Sequence, residues 1–329
     1  MARILVTGGA GYIGSHTVRQ LLTQGHEVTV FDNLSTGHRQ AVPPELLVVG
    51  DLRDVDHLDQ LLVVKRIDAV IHFAAVCYVP ESVTNPAKYY INNLVYTINL
   101  LERCRHNGIR KFVFSSSCAT YGIPTTVPVS EEEKQVPINP YGNTKLAIER
   151  ALSDYANAYP MGYCSLRYFN AAGAALDGNL GEDHNPETHL IPLVLQVAAG
   201  RRPYVEIYGT DYPTPDGTCI RDYVHVDDLA AAHILAMERL QPGSKLEYNV
   251  GIGRGYSVRE VIETARTVTG KAIQVKEGPR RPGDPPILVA NANKIGRELG
   301  WSPNHTDLRS IIHTAWNWHR NHPNGYGQL

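Results

Sequence analysis

Along the first half of the chain, short apolar runs alternate with longer stretches of helical spacing. Arg3–Thr7 (RILVT) ends abruptly at two glycines. Apolar positions over Ile13–Gln24 recur at helical spacing and stop before Gly25, the residue type that closes helices in a left-handed conformation. Glu27–Phe31 (EVTVF), Leu46–Val49, Ala69–Phe73 (AVIHF), Lys111–Ser115 (KFVFS) and Cys164–Phe169 (CSLRYF) read as further strands. These runs are apolar almost throughout rather than at alternate positions. Such strands lie in a sheet covered on both faces, and the helices between them make it parallel. The fold class is therefore α/β, a doubly wound parallel sheet. From about Asn170 glycine, proline and polar residues become frequent, through Gly181–Pro186 and Tyr208–Gly217, which suits a substrate lid. Asp227–Leu240 is helical again and Tyr248–Val250 reads as a short strand. The pattern predicts a first domain over 1–170, a return to it at about 220–252, and a smaller, mainly substrate-binding domain within 171–329.

The 329 residues, 43% hydrophobic, are ample for such a core. A formal charge of −2 leaves no electrostatic footprint for nucleic acid. The first residues lack the basic and long apolar regions of a signal peptide, and no stretch approaches the ~20 apolar residues of a membrane span. Five cysteines, at 77, 104, 118, 164 and 219, include no C-x-x-C pair. Neither a disulfide framework nor a zinc site is expected from them, no metal is expected, and a reducing cytoplasm fits.

Candidate chemistry begins where the first strand ends. Thr7–Gly14 (TGGAGYIG) contains G-x-G-x-x-G at 9, 11 and 14 and G-x-x-G-x-x-G at 8, 11 and 14. Glycines there permit a tight turn, a close approach of backbone to a pyrophosphate and close packing of helix on sheet. The helix N-terminus then faces the phosphates with its partial positive charge. Asp32 follows Gly14 by 18 residues, at the end of the second strand. A carboxylate there can bind ribose hydroxyls and would repel a 2′-phosphate, and Asn33-Leu34-Ser35-Thr36-Gly37 supplies no arginine. NAD is thus favoured over NADP, on a Rossmann-type sheet. Asp51 and Leu52, after another strand, are placed for an adenine contact.

A second constellation lies later. Asn139 can cap a helix opened by Pro140. Tyr141 and Lys145, four apart, share one face of it. A phenol's free pKa is about 10, so it needs help to act as a base, and a nearby ammonium favours the phenolate. Ser115-Ser116-Ser117 ends the strand Lys111–Ser115, at the carboxyl edge where open parallel sheets bind ligands.

Taken in order, the glycine turn, Asp32, the serine-ending strand and Tyr141-x-x-x-Lys145 resemble the extended short-chain dehydrogenase/reductase family, and within it the 4-epimerases of UDP-sugars. The resemblance runs through Ile71–Ala75 (IHFAA), Leu166–Gly173 (LRYFNAAG), Ile207–Asp211 (IYGTD), Asp216–Val226 (DGTCIRDYVHV) and Arg280–Asp284 (RRPGD). It implies an NAD-dependent isomerase that inverts C4 of UDP-glucose or UDP-galactose through a transient 4-keto sugar. A homodimer is implied too. Position by position, it implies that Gly8, Gly11, Tyr12, Ile13, Gly14, Asp32 through Gly37, Asp51, Leu52, Phe73, Ala74, Ala75, Cys77, Asn92 and Phe169 contact NAD. Ser117, Tyr141 and Lys145 match the catalytic group and touch the cofactor as well. Asn170, His189, Leu190, Glu206, Ile207, Tyr208, Arg221, Arg281 and Asp284 match positions that hold the UDP-sugar. The two arginines would neutralise the diphosphate and Tyr208 would lie against the uracil. Leu288 matches a position beside the sugar's C2 substituent, where a tyrosine is associated with exclusion of N-acetylated sugars and a small residue with their acceptance.

Three positions depart from some members. Cys77 stands in place of a lysine, His189 in place of an asparagine, and Val95-Tyr96 in place of Asn-Gly. Other readings share the scaffold. A nucleotide-sugar 4,6-dehydratase carries Asp-Glu beside the catalytic hydroxyl, where this chain has Ser117-Cys118-Ala119. A dehydrogenase would release NADH. A non-catalytic NAD sensor tends to lose the tyrosine or the lysine. Epimerisation of a UDP-N-acetylhexosamine or a UDP-pentose would need no change in the catalytic group.

Overall fold

The computed structural model describes residues 1–281 and 283–327; Pro282, within the Arg280–Asp284 motif, lies outside the described residues. Six strands come first: β1 (Arg3–Thr7), β2 (Glu27–Asp32), β3 (Leu47–Val49), β4 (Ala69–His72), β5 (Lys111–Ser115) and β6 (Gly162–Tyr168). The chain then leaves for a smaller lobe with β7 (Asn170–Ala172), β8 (Val205–Tyr208) and β9 (Ile220–His225). It comes back with β10 (Lys245–Val250), and returns to the lobe with β11 (Gly255–Ser257), β12 (Val275–Gly278) and β13 (Ile287–Leu288). The large sheet has the order β10-β6-β5-β4-β1-β2-β3, and its pairings are all parallel. This is the expected doubly wound α/β sheet.

The continuous apolar runs have a direct cause. Successive side chains of a strand point to opposite faces. Ile4, Val6, Val30, Ile71 and Val113 join one core with the helices Tyr12–Thr23 and Val226–Arg239. Leu5, Phe31, Val70, Phe112 and Phe114 join the other, beneath Val55–Lys65, Tyr96–His106 and Pro140–Ala158. Gly25 sits at φ 80°, the left-handed closure expected after the first helix. Edge strand β10 extends further back than its expected range, to Lys245. The preceding strand, Ile220–His225, belongs instead to the lobe, where it pairs with β7, β11 and β13.

Strand order reverses between β1 and β4. The loops leaving these two strands meet there: a Cβ on Gly8 would lie 2.5 Å from the Ala74 amide nitrogen. That is the switch point at which parallel sheets open a crevice. The lobe has its own apolar core, with Ile191, Val194, Ile207, Tyr223, Val261 and Ile311 among its members. It closes over the carboxyl edge of the large sheet. Among the described residues no helix is long and apolar enough to cross a membrane.

Candidate active site

A single cavity of about 1230 Å³ runs from the glycine turn to the lobe loops. Its near end is backbone. Gly11 precedes the helix Tyr12–Thr23 in extended conformation, no side chain caps that helix, and its first turn holds no acidic residue. The first N–H groups are therefore left for a ligand, and negative charge is favoured there. Gly8 lies at φ 71°. A Cβ on Gly14 would come within 2.3 Å of the Gly8 carbonyl oxygen. Gly8, Gly11 and Gly14 line the cavity, whereas Gly9 is packed between Val6 and Val30. The working spacing is thus G-x-x-G-x-x-G. Such a cradle, with its uncapped helix, fits a dinucleotide pyrophosphate.

Asp32 completes this end. One carboxylate oxygen accepts from the Ala10 N–H at 2.9 Å and the other from the Leu34 N–H at 2.8 Å. Burial pushes its carboxyl above the usual range against these two bonds. Asn33 donates to Asp51 at 2.9 Å, joining the two acidic loops. Ile13, Ser35, Thr36, Gly37, Leu52, Phe73, Ala74, Ala75, Cys77, Asn92 and Phe169 also line the cavity. Asn92 lies on a π-helical turn, Tyr90–Val95, that ends at the Val95-Tyr96 departure. Leu34 is the exception among the expected cofactor contacts. It adopts φ 58° under the Asp32 bond and turns its side chain onto the core, so it shapes the loop without lining the cavity.

In the middle stand Ser117, Tyr141 and Lys145, all buried. Asn139 caps their helix by accepting from the Gly142 N–H at 2.9 Å. Ser117 lies just past β5 and accepts from the Ala119 N–H at 3.2 Å. Lys145 donates to the Ser115 carbonyl at 2.7 Å, with its ammonium 5.7 Å from the centre of the Tyr141 ring. The expected electrostatics are altered in one respect. Burial, with Tyr168 and Cys77 adding to it, holds the Tyr141 phenol well above its ordinary value, and only the Ser117 hydroxyl works noticeably the other way. Burial also pushes the Lys145 ammonium down to about 8. Burial thus works against the phenolate that the Tyr141–Lys145 spacing favours.

Behind this trio lies a network the sequence reading did not single out. Glu149, one turn beyond Lys145, receives Arg167 through three contacts of 2.7–3.1 Å, with both side chains at most 3% exposed. Ser116 donates to the same carboxylate at 2.5 Å. Arg167 also reaches Glu247 at 2.9 Å and the Tyr121 hydroxyl at 3.1 Å. The catalytic helix is thereby bonded to the end of β5 and to β6, and through Arg167 to β10. Glu149 stands four residues past Lys145, and that i,i+4 step was the one signal available.

The far end is made of side chains from the lobe. Along β8 alternation turns Glu206 and Tyr208 to the cavity and buries Ile207 in the lobe core at 1% exposure. Ile207 thus turns its side chain away from the cavity. Arg221 donates to the carbonyls of Ile220 and Pro285, both at 2.9 Å, and stands 3.5 Å from Asp284. Arg281 lies over the Tyr208 ring, 3.9 Å from its centre, covering one face of the expected uracil platform. Asn170 donates to the Asp222 carbonyl. Leu288 lines the cavity from an apolar cluster with Cys118, Tyr121, Val129, Phe169 and Ala290. His189 and Leu190 open the helix Leu190–Ala198. Burial lowers the His189 imidazole, but Glu182 and then Glu187 outweigh it and hold it well above its usual value.

Comparison with known proteins agrees with this geometry. The family model described as "NAD dependent epimerase/dehydratase family" matches residues 4–251. A UDP-glucose 4-epimerase of Lacticaseibacillus casei is 54% identical, over 98% of both chains. The solved UDP-glucose 4-epimerase of Brucella ovis, in complex with NAD, is 51% identical over 96% of this chain and 98% of its own, with a TM-score of 0.93. That of Bifidobacterium longum, in complex with NAD+ and UDP, is 39% identical over 98% and 99%, with a TM-score of 0.94. The matched span takes in the glycine cradle, Asp32, the catalytic trio and the chain's return to the large sheet, and the chain belongs to the NAD-dependent epimerase/dehydratase family.

Proposed function

We propose that this protein is a UDP-glucose 4-epimerase, interconverting UDP-glucose and UDP-galactose with NAD held throughout the cycle. The observation that carries this reading is the order of parts along one cavity. An uncapped glycine cradle with Asp32 comes first, then Ser117, Tyr141 and Lys145, then Arg221 and Arg281.

Gly8, Gly11, Gly14, Asp32 and the Phe73–Ala75 loop would hold NAD. Held there, NAD would supply a reversible hydride acceptor for the sugar carbon, and its positive ring would add to the ammonium's pull on the phenol. Tyr141 removes the proton from the sugar O4 and later returns it. Ser117 hydrogen-bonds the same oxygen and orients it. Lys145 holds its charge beside the phenol, and its bond to the Ser115 carbonyl fixes where that charge sits. Arg221 and Arg281 hold the diphosphate while the 4-keto hexose turns over in the pocket, so either face can meet the cofactor. Ser117-Cys118-Ala119 offers no carboxylate pair for eliminating water, which separates this site from that of a dehydratase. The family resemblance adds a homodimer, and the five free cysteines suit a reducing cytoplasm.

Incubating the purified protein with UDP-galactose, UDP-glucose, their N-acetylated counterparts and a UDP-pentose, and resolving the products by chromatography, tests the assignment. Interconversion of the two hexoses without net NADH is expected. Accumulation of NADH, or of a dehydrated sugar, would overturn it.

A further inference from the structure

One wall of the cavity carries a cluster of which two members, His184 and Glu187, have no part in the reaction. Within eight residues the chain presents Glu182, His184, Glu187 and His189, and one ligand atom of each lies within 4.8 Å of the others. Nδ1 of His189 is 2.7 Å, and Nδ1 of His184 3.1 Å, from the same oxygen of Glu182. Glu187 stands 3.2 Å from the first nitrogen and 3.8 Å from the second. Both carboxylates are only 5% exposed. The segment is anchored by the Trp318 indole, which donates to the Glu182 carbonyl at 3.2 Å, and by the helix that begins at Leu190. Tyr78, whose buried hydroxyl has no partner, stands edge-on to the His184 ring.

Two carboxylates buried side by side repel one another unless positive charge is placed between them. Nothing in the catalytic cycle calls for His184 or Glu187. The four groups have another property in common: each is a metal ligand, and all turn their donor atoms inward. Tetrahedral bonds of about 2.0–2.2 Å set ligand atoms roughly 3.3 Å apart. The two contacts to the shared Glu182 oxygen, 2.7 and 3.1 Å, are somewhat shorter than that, and those to the two Glu187 oxygens, 3.2 and 3.8 Å, lie on either side of it. Two imidazole nitrogens among four ligands disfavour magnesium and calcium, which take oxygen shells, and suit zinc and its neighbours. Cysteine spacing could not have pointed here, because the donors are histidine and glutamate.

We propose that Glu182, His184, Glu187 and His189 form a binding site for a divalent cation of the zinc class. The site lines the same cavity as Ser117, Tyr141 and Lys145. It goes beyond the epimerase reading and does not depend on it, since its test reads metal rather than turnover. The NAD-loaded full-length protein is stripped with a chelator, then titrated with Zn2+ against a chromophoric competitor and, separately, with Co2+. One equivalent of zinc is expected to bind, and cobalt should give the strong visible bands of a tetrahedral site. His184→Gln and Glu187→Gln should each weaken zinc binding by more than the roughly tenfold that loss of even an outer partner costs. Both should retain NAD and unfold cooperatively, and either one alone suffices if the other fails to fold. Zinc affinity unchanged in both variants would overturn the proposal. So would an equivalent lost only in Cys77→Ser, which would assign the metal to the thiol, or wild-type protein that gives no tetrahedral cobalt spectrum.

Discussion

At the glycine end of the cavity the walls are backbone, while at the arginine end they are long side chains reaching in from β8, β9 and the loop between β12 and β13. The first end is fixed by close approach: Gly14 against the Gly8 carbonyl, Gly8 against Ala74, and Asp32 holding two amides. The second is fixed by pairing: Arg281 on Tyr208, Arg221 on two carbonyls and beside Asp284. Backbone walls suit a cofactor that stays. Side-chain walls suit a group that is gripped, turned and released. The buried Arg167–Glu149 pair lies behind the catalytic trio and ties its helix to the large sheet.

This contrast can be broken at four points, in falling order of effect. Glu149→Ala leaves Arg167 without its main partner in a dry setting. Removing one member of a buried pair costs about 3–5 kcal/mol. Urea unfolding should show a loss of that size, and an unchanged midpoint would remove the pair from any supporting role. Next comes Tyr141→Phe, which should lower turnover by at least ~100-fold, the scale of a positioned acid or base, with UDP binding barely altered. Near-normal epimerisation would mean that another group moves the proton.

Gly14→Ala tests the backbone wall directly. Its methyl would meet two backbone atoms, Gly8 O at 2.3 Å and Gly9 Cα at 2.7 Å, neither of which can swing away. A stability loss of about 1–3 kcal/mol, typical of overpacking, should appear together with weaker NAD binding by calorimetry. If alanine is accepted there with both quantities intact, the wall is softer than its contacts imply. Leu288→Ser probes the other end with a change of similar size but a smaller consequence. UDP-glucose and UDP-galactose should be good substrates of the wild type, with UDP-N-acetylglucosamine poor. The variant should favour the N-acetylated sugar by an amount at the low end of the roughly 1–3 kcal/mol that such a pocket difference carries. Comparing kcat/KM for both sugars in both proteins decides it, and an unchanged ratio makes Leu288 a packing residue only.

The same division explains what was legible in the chain. Parallel strands buried on both faces, a glycine turn and a Tyr-x-x-x-Lys step are set by steric and periodic rules that act over a few residues. The first strands and the catalytic helix could be read for that reason. Alternation along β8, by contrast, decides that Glu206 and Tyr208 face the cavity while Ile207 does not, and only the placement of the lobe sets its phase. Glu149 and Arg167 are 18 positions apart and meet through the sheet, so neither announces the other. The upward push on the Tyr141 phenol was also out of reach, because burial is a property of the fold and not of spacing.

The edge position of β10 bears on how the chain is made. Strand β6 ends at Tyr168, yet its neighbour begins only at Lys245, and the helix Val226–Arg239 that covers one face of the large sheet also comes late. During synthesis the ribosome must therefore add roughly eighty residues after β6 before the nucleotide-binding half can close. At about 5–20 residues per second this is a wait of roughly 4–16 s, with an open strand edge and a bare apolar face. A nascent chain stalled in that interval would be the species most in need of a chaperone.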